Sequence, residues 1–95
     1  MTKGGPTGEY RVFAGWLRTR MLTSGYTDEG GMESQSRLAR QMGISQSSVS
    51  RWTRGLGIPS RANCRRLSIA LGVRIEDVYE AVAGEAPSLT VPPRP

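Results

Sequence analysis

Between Gln35 and Arg54 the chain reads QSRLARQMGISQSSVSRWTR, and no other stretch limits the possible fold as strongly. Leu38, Ala39 and Met42 fall on one helical stripe, and Val49 and Trp52 fall on a second at a spacing of three, so each half has a single apolar face. Gly43 divides the halves. It can take the positive φ that ends a helix, Ile44 follows as an apolar plug, and Ser45 can cap the first unpaired N–H groups of the helix beyond it.

The outline is a helix-turn-helix. Placed at about 100° per residue from Gln46, the residues Gln46, Ser50 and Arg54 fall within roughly 80° of one another, with Ser47 and Arg51 on their flank and Val49 and Trp52 opposite. One face belongs to a core and the other is small and polar. Small polar residues beside a glutamine let a helix backbone approach a groove closely, and glutamine can bond adenine N6 and N7 together. A solvated helix face would carry much the same residues, so the surrounding charge has to be weighed as well.

That charge is unevenly spread. Net charge is +5, and between Ser34 and Ile75 there are eight arginines and no acid, while all eight acids lie before or after this window. A basic block coincident with two helices and a turn is the footprint expected for a phosphate backbone. An anionic membrane surface is the other partner such charge could meet. No apolar run approaches a membrane span, however, and no amphipathic stretch sets lysines against a broad aromatic face. The start MTKGGPTG has no apolar segment behind its lysine and does not read as a signal peptide, so the expected location is cytoplasmic.

The stretch resembles the DNA-binding helix-turn-helix of the lambda-repressor and Cro-like family, also called the xenobiotic response element family. Gln35 stands at the start of the first helix, Ala39 where the helices pack closely, Gly43 in the turn, Ile44 after it, Val49 in the second helix and Trp52 at its large core position. The resemblance is specific over these residues and continues more weakly from about Val12 to Gly84. It implies an all-α, five-helix lambda-repressor-like domain in which Ser45, Gln46, Ser47, Ser50, Arg51 and Arg54 face DNA. It further implies that Gln35 bonds phosphate and braces Gln46. Arg37, in the acid-free window, completes the candidate DNA-binding set.

The rest of the chain supports one domain over residues 9–84, which a length of 95 residues allows. A chain of this size buries only roughly 60–65% of its unfolded surface, so stability should be modest and a partner subunit would help. Residues 1–8, with three glycines and one proline, are expected to form a flexible arm whose Lys3 can touch phosphate. Glu9 to Thr23 reads as the first helix, its stripe being Val12, Phe13, Trp16, Leu17 and Met21. The connection Ser24 to Glu33 is longer than usual in the family, and Asp28 and Glu29 would be repelled by phosphate, so it is expected to point away from DNA or meet another protein. Ser34 should cap the second helix. After Arg54, Gly55 ends the third helix, Leu56 and Ile58 are expected as apolar anchors, and Pro59 with Ser60 opens a fourth from Arg61 to Leu71. Its stripe is Cys64, Leu67 and Leu71, with Ile69 and Ala70 beside it, and Gly72 closes it. A fifth helix, about Ile75 to Ala83, carries Ile75, Val78, Tyr79 and Val82 and stops at Gly84. Residues 85–95 hold four prolines and should be polyproline-like or disordered.

Much chemistry is excluded by composition. Without histidine there is no Ser-His-Asp triad, Cys-His pair or histidine metal site, and one cysteine cannot build a thiolate zinc site or an internal disulfide. Cys64 reads as a small buried apolar residue. No nucleotide cradle is present, and neither an enzyme nor a cofactor is expected. The sequence therefore reads as a sequence-specific double-stranded DNA-binding transcription regulator, a small phage or bacterial repressor that reads the major groove with helix 45–54. A homodimer on a pseudo-palindromic operator is expected, with Tyr79 at the dimer contact. The alternative is an antitoxin or protein-interaction module of the same fold, its tail adding a strand through Leu89 and Val91.

Overall fold

The computed structural model describes residues 10–84, and these form α1 (Arg11–Thr23), α2 (Gln35–Met42), α3 (Gln46–Thr53), α4 (Arg61–Leu71) and α5 (Ile75–Val82). The expected arm, the Pro-rich tail and Glu9, where the first helix was expected to begin, lie outside the described residues. Among those residues the fold is all-α. The sole extended pairing there is an isolated antiparallel bridge between Thr27 and Glu33.

Helix boundaries follow local chemistry. Ser34, Ser45 and Ser60 sit in extended conformation and accept from the backbone N–H of Arg37, Ser48 and Asn63 respectively, which satisfies donors that an uncapped helix start would leave orphaned. Gly43 closes α2 at φ 74°, with Ile44 N–H donating to Ala39 O (3.0 Å) and Gly43 N–H to Arg40 O (3.2 Å), the paired bonds of a Schellman ending. Tyr10 begins α1 without a side-chain cap; its backbone N–H donates to Gly55 O at 3.1 Å, tying the start of α1 to the end of α3.

The helices pack as one unit: α1 lies against α3 and α5, α2 against α3 and α4, and α4 against α5. Phe13, Leu17, Met21, Leu38, Val49, Trp52, Cys64, Leu67, Leu71 and Val78 lead the core, with Ile44 and Trp16 packed at its edge. Three expectations need correction. Val12 is 44% exposed whereas Ala14 is fully buried, because the buried face of α1 is centred on Ala14, Leu17 and Met21, and Val12 lies about 160° round the helix from Ala14. Ile69 is 75% exposed: α4 buries one face against α2 and α5, and Ile69 points off it. Leu56 and Ile58 are also exposed, since the turn after α3 tucks Gly55 and Pro59 inward instead.

The long connection from Ser24 to Ser34 is folded onto its own protein. Tyr26 donates its hydroxyl to Ala70 O (2.7 Å) and Ser24 to Leu71 O (3.2 Å), pinning the loop to the end of α4. Asp28 Oδ1 accepts from the N–H groups of Gly30 (2.8 Å) and Met32 (3.1 Å), so this acid organises a turn. Arg18 Nε meets Glu33 Oε2 at 2.7 Å, half-buried between α1 and the loop. Among the described residues, no helix is long and apolar enough to cross a membrane.

Candidate nucleic-acid interface

Helices α2 and α3 meet across the Gly43–Ile44–Ser45 turn, with Leu38, Ala39, Met42, Val49 and Trp52 buried between them and the rest of the core. Burying those stripes turns the remaining face of α3 outward. Ser45, Gln46 and Ser47 are exposed at its start, Ser50 is half-buried one turn on, and Arg51 and Arg54 are exposed at its end. The side-chain carboxamide of Gln46 has no hydrogen-bond partner among the described residues, so both its donor and its acceptor remain available. Ser45 Oγ caps the helix and lies 3.2 Å from the hydroxyls of both Ser47 and Ser48, a small hydroxyl cluster at the positive end of the helix. Arg54 Nη1 donates to Ser50 Oγ (3.4 Å), which draws these two onto one strip with Gln46. Arg37 is exposed in the first turn of α2.

Residues 34–78 match the sequence profile of a family described as helix-turn-helix, the kind found in Cro-like and lambda-repressor-like regulators. This segment is a lambda-repressor-like helix-turn-helix. The matched residues run from the cap of α2 into α5, so they contain the whole outward face just described. Among curated proteins, none matches the chain.

In one respect the helix-turn-helix differs from what the resemblance implies. Gln35 is half-buried and donates from Nε2 to Thr53 Oγ1 at 3.1 Å, while no hydrogen bond joins it to Gln46. Thr53 in turn donates to Ser50 O (3.0 Å), so the start of α2 is tied to the end of α3 rather than to its beginning. Thr53 is buried and was not singled out in the sequence, where a threonine at a helix end gives no sign of the partner that tertiary packing brings to it. Leu56, expected as an apolar anchor, instead matters through its carbonyl, which accepts from Arg51 Nη2 at 3.3 Å.

The acid-free window keeps its character in three dimensions. Seven of its eight arginines, Arg37, Arg40, Arg51, Arg54, Arg61, Arg65 and Arg66, form no ion pair among the described residues, and the eighth, Arg74, lies 3.8 Å from Glu76 in an exposed pair. Arg61, Arg65 and Arg66 line an open groove of about 510 Å3 between α4 and α5, together with Ala62, Ile75 and Tyr79. Cys64 is buried and points its thiol at Pro59 O (3.8 Å); burial pushes the thiol up from its ordinary value, with the Arg61 charge opposing more weakly. It is held as a neutral packing group. No group of three or more Cys, Asp or Glu that could hold a metal ion occurs among the described residues.

Proposed function

We propose that this helix-turn-helix protein is a small transcription repressor of phage or bacterial type that works in the cytoplasm and binds a pseudo-palindromic operator as a homodimer. In this reading α3 enters the major groove, Gln46 reads an adenine, Ser47 and Ser50 keep the approach close, and Arg37, Arg51, Arg54 and the capped start of α2 hold phosphates. The observation that supports it best is the outward strip of Gln46, Ser50 and Arg54, with an unengaged carboxamide at its head and no carboxylate in the surrounding window. Tyr79, exposed on α5, is the proposed dimer contact.

Selection of bound duplexes from a random pool tests the reading directly. Enrichment of an inverted repeat with half-sites about one helical turn apart is the expected result. A pool that shows no enrichment overturns it and favours the protein-interaction alternative, whose tail residues Leu89 and Val91 lie outside the described residues.

A further inference from the structure

Gly57 lies in the turn between α3 and α4, and its backbone does not adopt the positive φ that would call for glycine. Space explains it instead. A Cβ at this position would stand 3.1 Å from Nη2, 3.4 Å from Nε and 3.6 Å from Cζ of Arg51, so a side chain here would push the guanidinium back by a few tenths of an ångström. The other described glycines with ordinary φ are not approached in this way: Gly15 has nothing within 4 Å, and Gly30 has only Asp28 Oδ1 at 3.5 Å. Arg51 is held from two directions. Its Nη2 donates to Leu56 O (3.3 Å), and its own backbone carbonyl accepts from Leu56 N–H (2.9 Å).

We propose that Gly57 is a positioning residue for DNA binding, and that the Arg51 it accommodates is a phosphate clamp rather than a base reader. The inference rests on the DNA-binding reading above. Arg51 projects about 140° round α3 from Gln46, off the reading strip, and its guanidinium lies over the turn beyond the helix end. The Nη2 bond to Leu56 O leaves the other N–H groups of the guanidinium free, and its place over the turn sets them beside the flanking backbone rather than along the strip that Gln46 heads. A backbone phosphate asks only for charge and the guanidinium's remaining N–H edge. Holding the side chain in place before DNA arrives spares the entropy of fixing a long rotamer-rich group, a saving of about two- to tenfold in affinity.

A double-mutant cycle tests this with the full chain, measuring Kd on the selected operator and on a random duplex of equal length. Gly57→Ala should leave the melting temperature undiminished and weaken both DNAs about two- to tenfold, because the new methyl pushes the guanidinium by a few tenths of an ångström and stretches its already long 3.3 Å bond to Leu56 O. Arg51→Ala, at an exposed position, should weaken both DNAs alike and reduce the salt dependence by about one phosphate contact per chain. Adding Gly57→Ala to Arg51→Ala, or to Arg51→Lys with its unforked ammonium, should then change nothing further. Overturning results are a Gly57→Ala effect of equal size with and without Arg51, or an Arg51→Ala loss confined to the operator. If the parent protein binds no duplex, the DNA-binding reading falls and this inference with it; binding with uncoupled positions sinks the inference alone.

Discussion

Gln35 and Gln46 carry the same carboxamide, and the fold gives them opposite surroundings. Gln35 is half-buried and committed to Thr53, whereas Gln46 is exposed and uncommitted at the head of α3. Replacing Gln46 by Ala therefore removes no bond from the folded chain and should change stability by less than about 0.5 kcal/mol. On the preferred operator the same change should cost roughly 1–3 kcal/mol in binding, measured by gel shift against a random duplex. Equal losses on both would assign Gln46 to positioning. Trp52 is the counterexample on the opposite face of the same helix. It is 4% exposed within the core, so Trp52→Ala should cost about 3–5 kcal/mol, and its thermal melt should show an unfolded or barely folded protein. A stable Trp52→Ala protein that had lost only operator binding would contradict that placement.

At the scale of elements, the turn at Gly43 makes a helix-turn-helix out of two short helices. An added Cβ there would meet nothing within 4 Å, so the cost of Gly43→Ala is purely conformational, about 1–2 kcal/mol for an L-residue in the left-handed region at φ 74°. In a domain of this size that lowers Tm by several degrees, at roughly 4–8 °C per kcal/mol, and an unchanged melt would show that the turn had relaxed into another form. The turn was also the most legible part of the sequence. Gly43, Ser45, Ser60 and Gly72 act through local backbone chemistry, which depends on neighbours in the chain, and each sits where its residue type required. What was not legible depends on residues far apart in sequence. The pinning of Tyr26 to Ala70 and of Gln35 to Thr53, the burial of Ala14 in place of Val12, and the outward turn of Ile69 all follow from which faces the packed helices present. Of the candidate interface, the exposed polar face of α3 follows from periodicity alone. The posture of Arg51 over Gly57 does not, because it needs the path of the turn.

Residues 10–84 combine an arginine-rich, acid-free middle with acids gathered on the loop between α1 and α2 and on α5, and this division sets how the protein should meet DNA and itself. Seven arginines lie between Arg37 and Arg66, so two chains on one duplex should release several counterions, with log affinity falling about 0.9 per phosphate contact as log salt rises. A titration in salt that left affinity constant would rule out the electrostatic part of the interface. In the proposed complex a single α3 would reach only a few base pairs, and a second copy would extend the site. Two copies related by a two-fold axis would place their recognition helices on half-sites about 34 Å apart. Val78 and Ala81 already serve the chain's own core, and Ile75 and Val82 are half-buried, which leaves Tyr79, 40% exposed, as the large apolar side chain on α5 most open to a partner. Its phenol suits a contact with a wet rim. Asp at this position would sit in the groove beside Arg61, Arg65 and Arg66, where the monomer can tolerate the new carboxylate but an apolar dimer contact cannot. Weak dimerisation in solution that tightens on DNA is thus the expected behaviour of the parent chain. Sedimentation of Tyr79→Asp with and without operator should show a monomer that loads two chains only at higher concentration. If the variant still loads two chains with unaltered affinity, the α5 contact is wrong, and pairing must come from the loop between α1 and α2 or from residues outside 10–84.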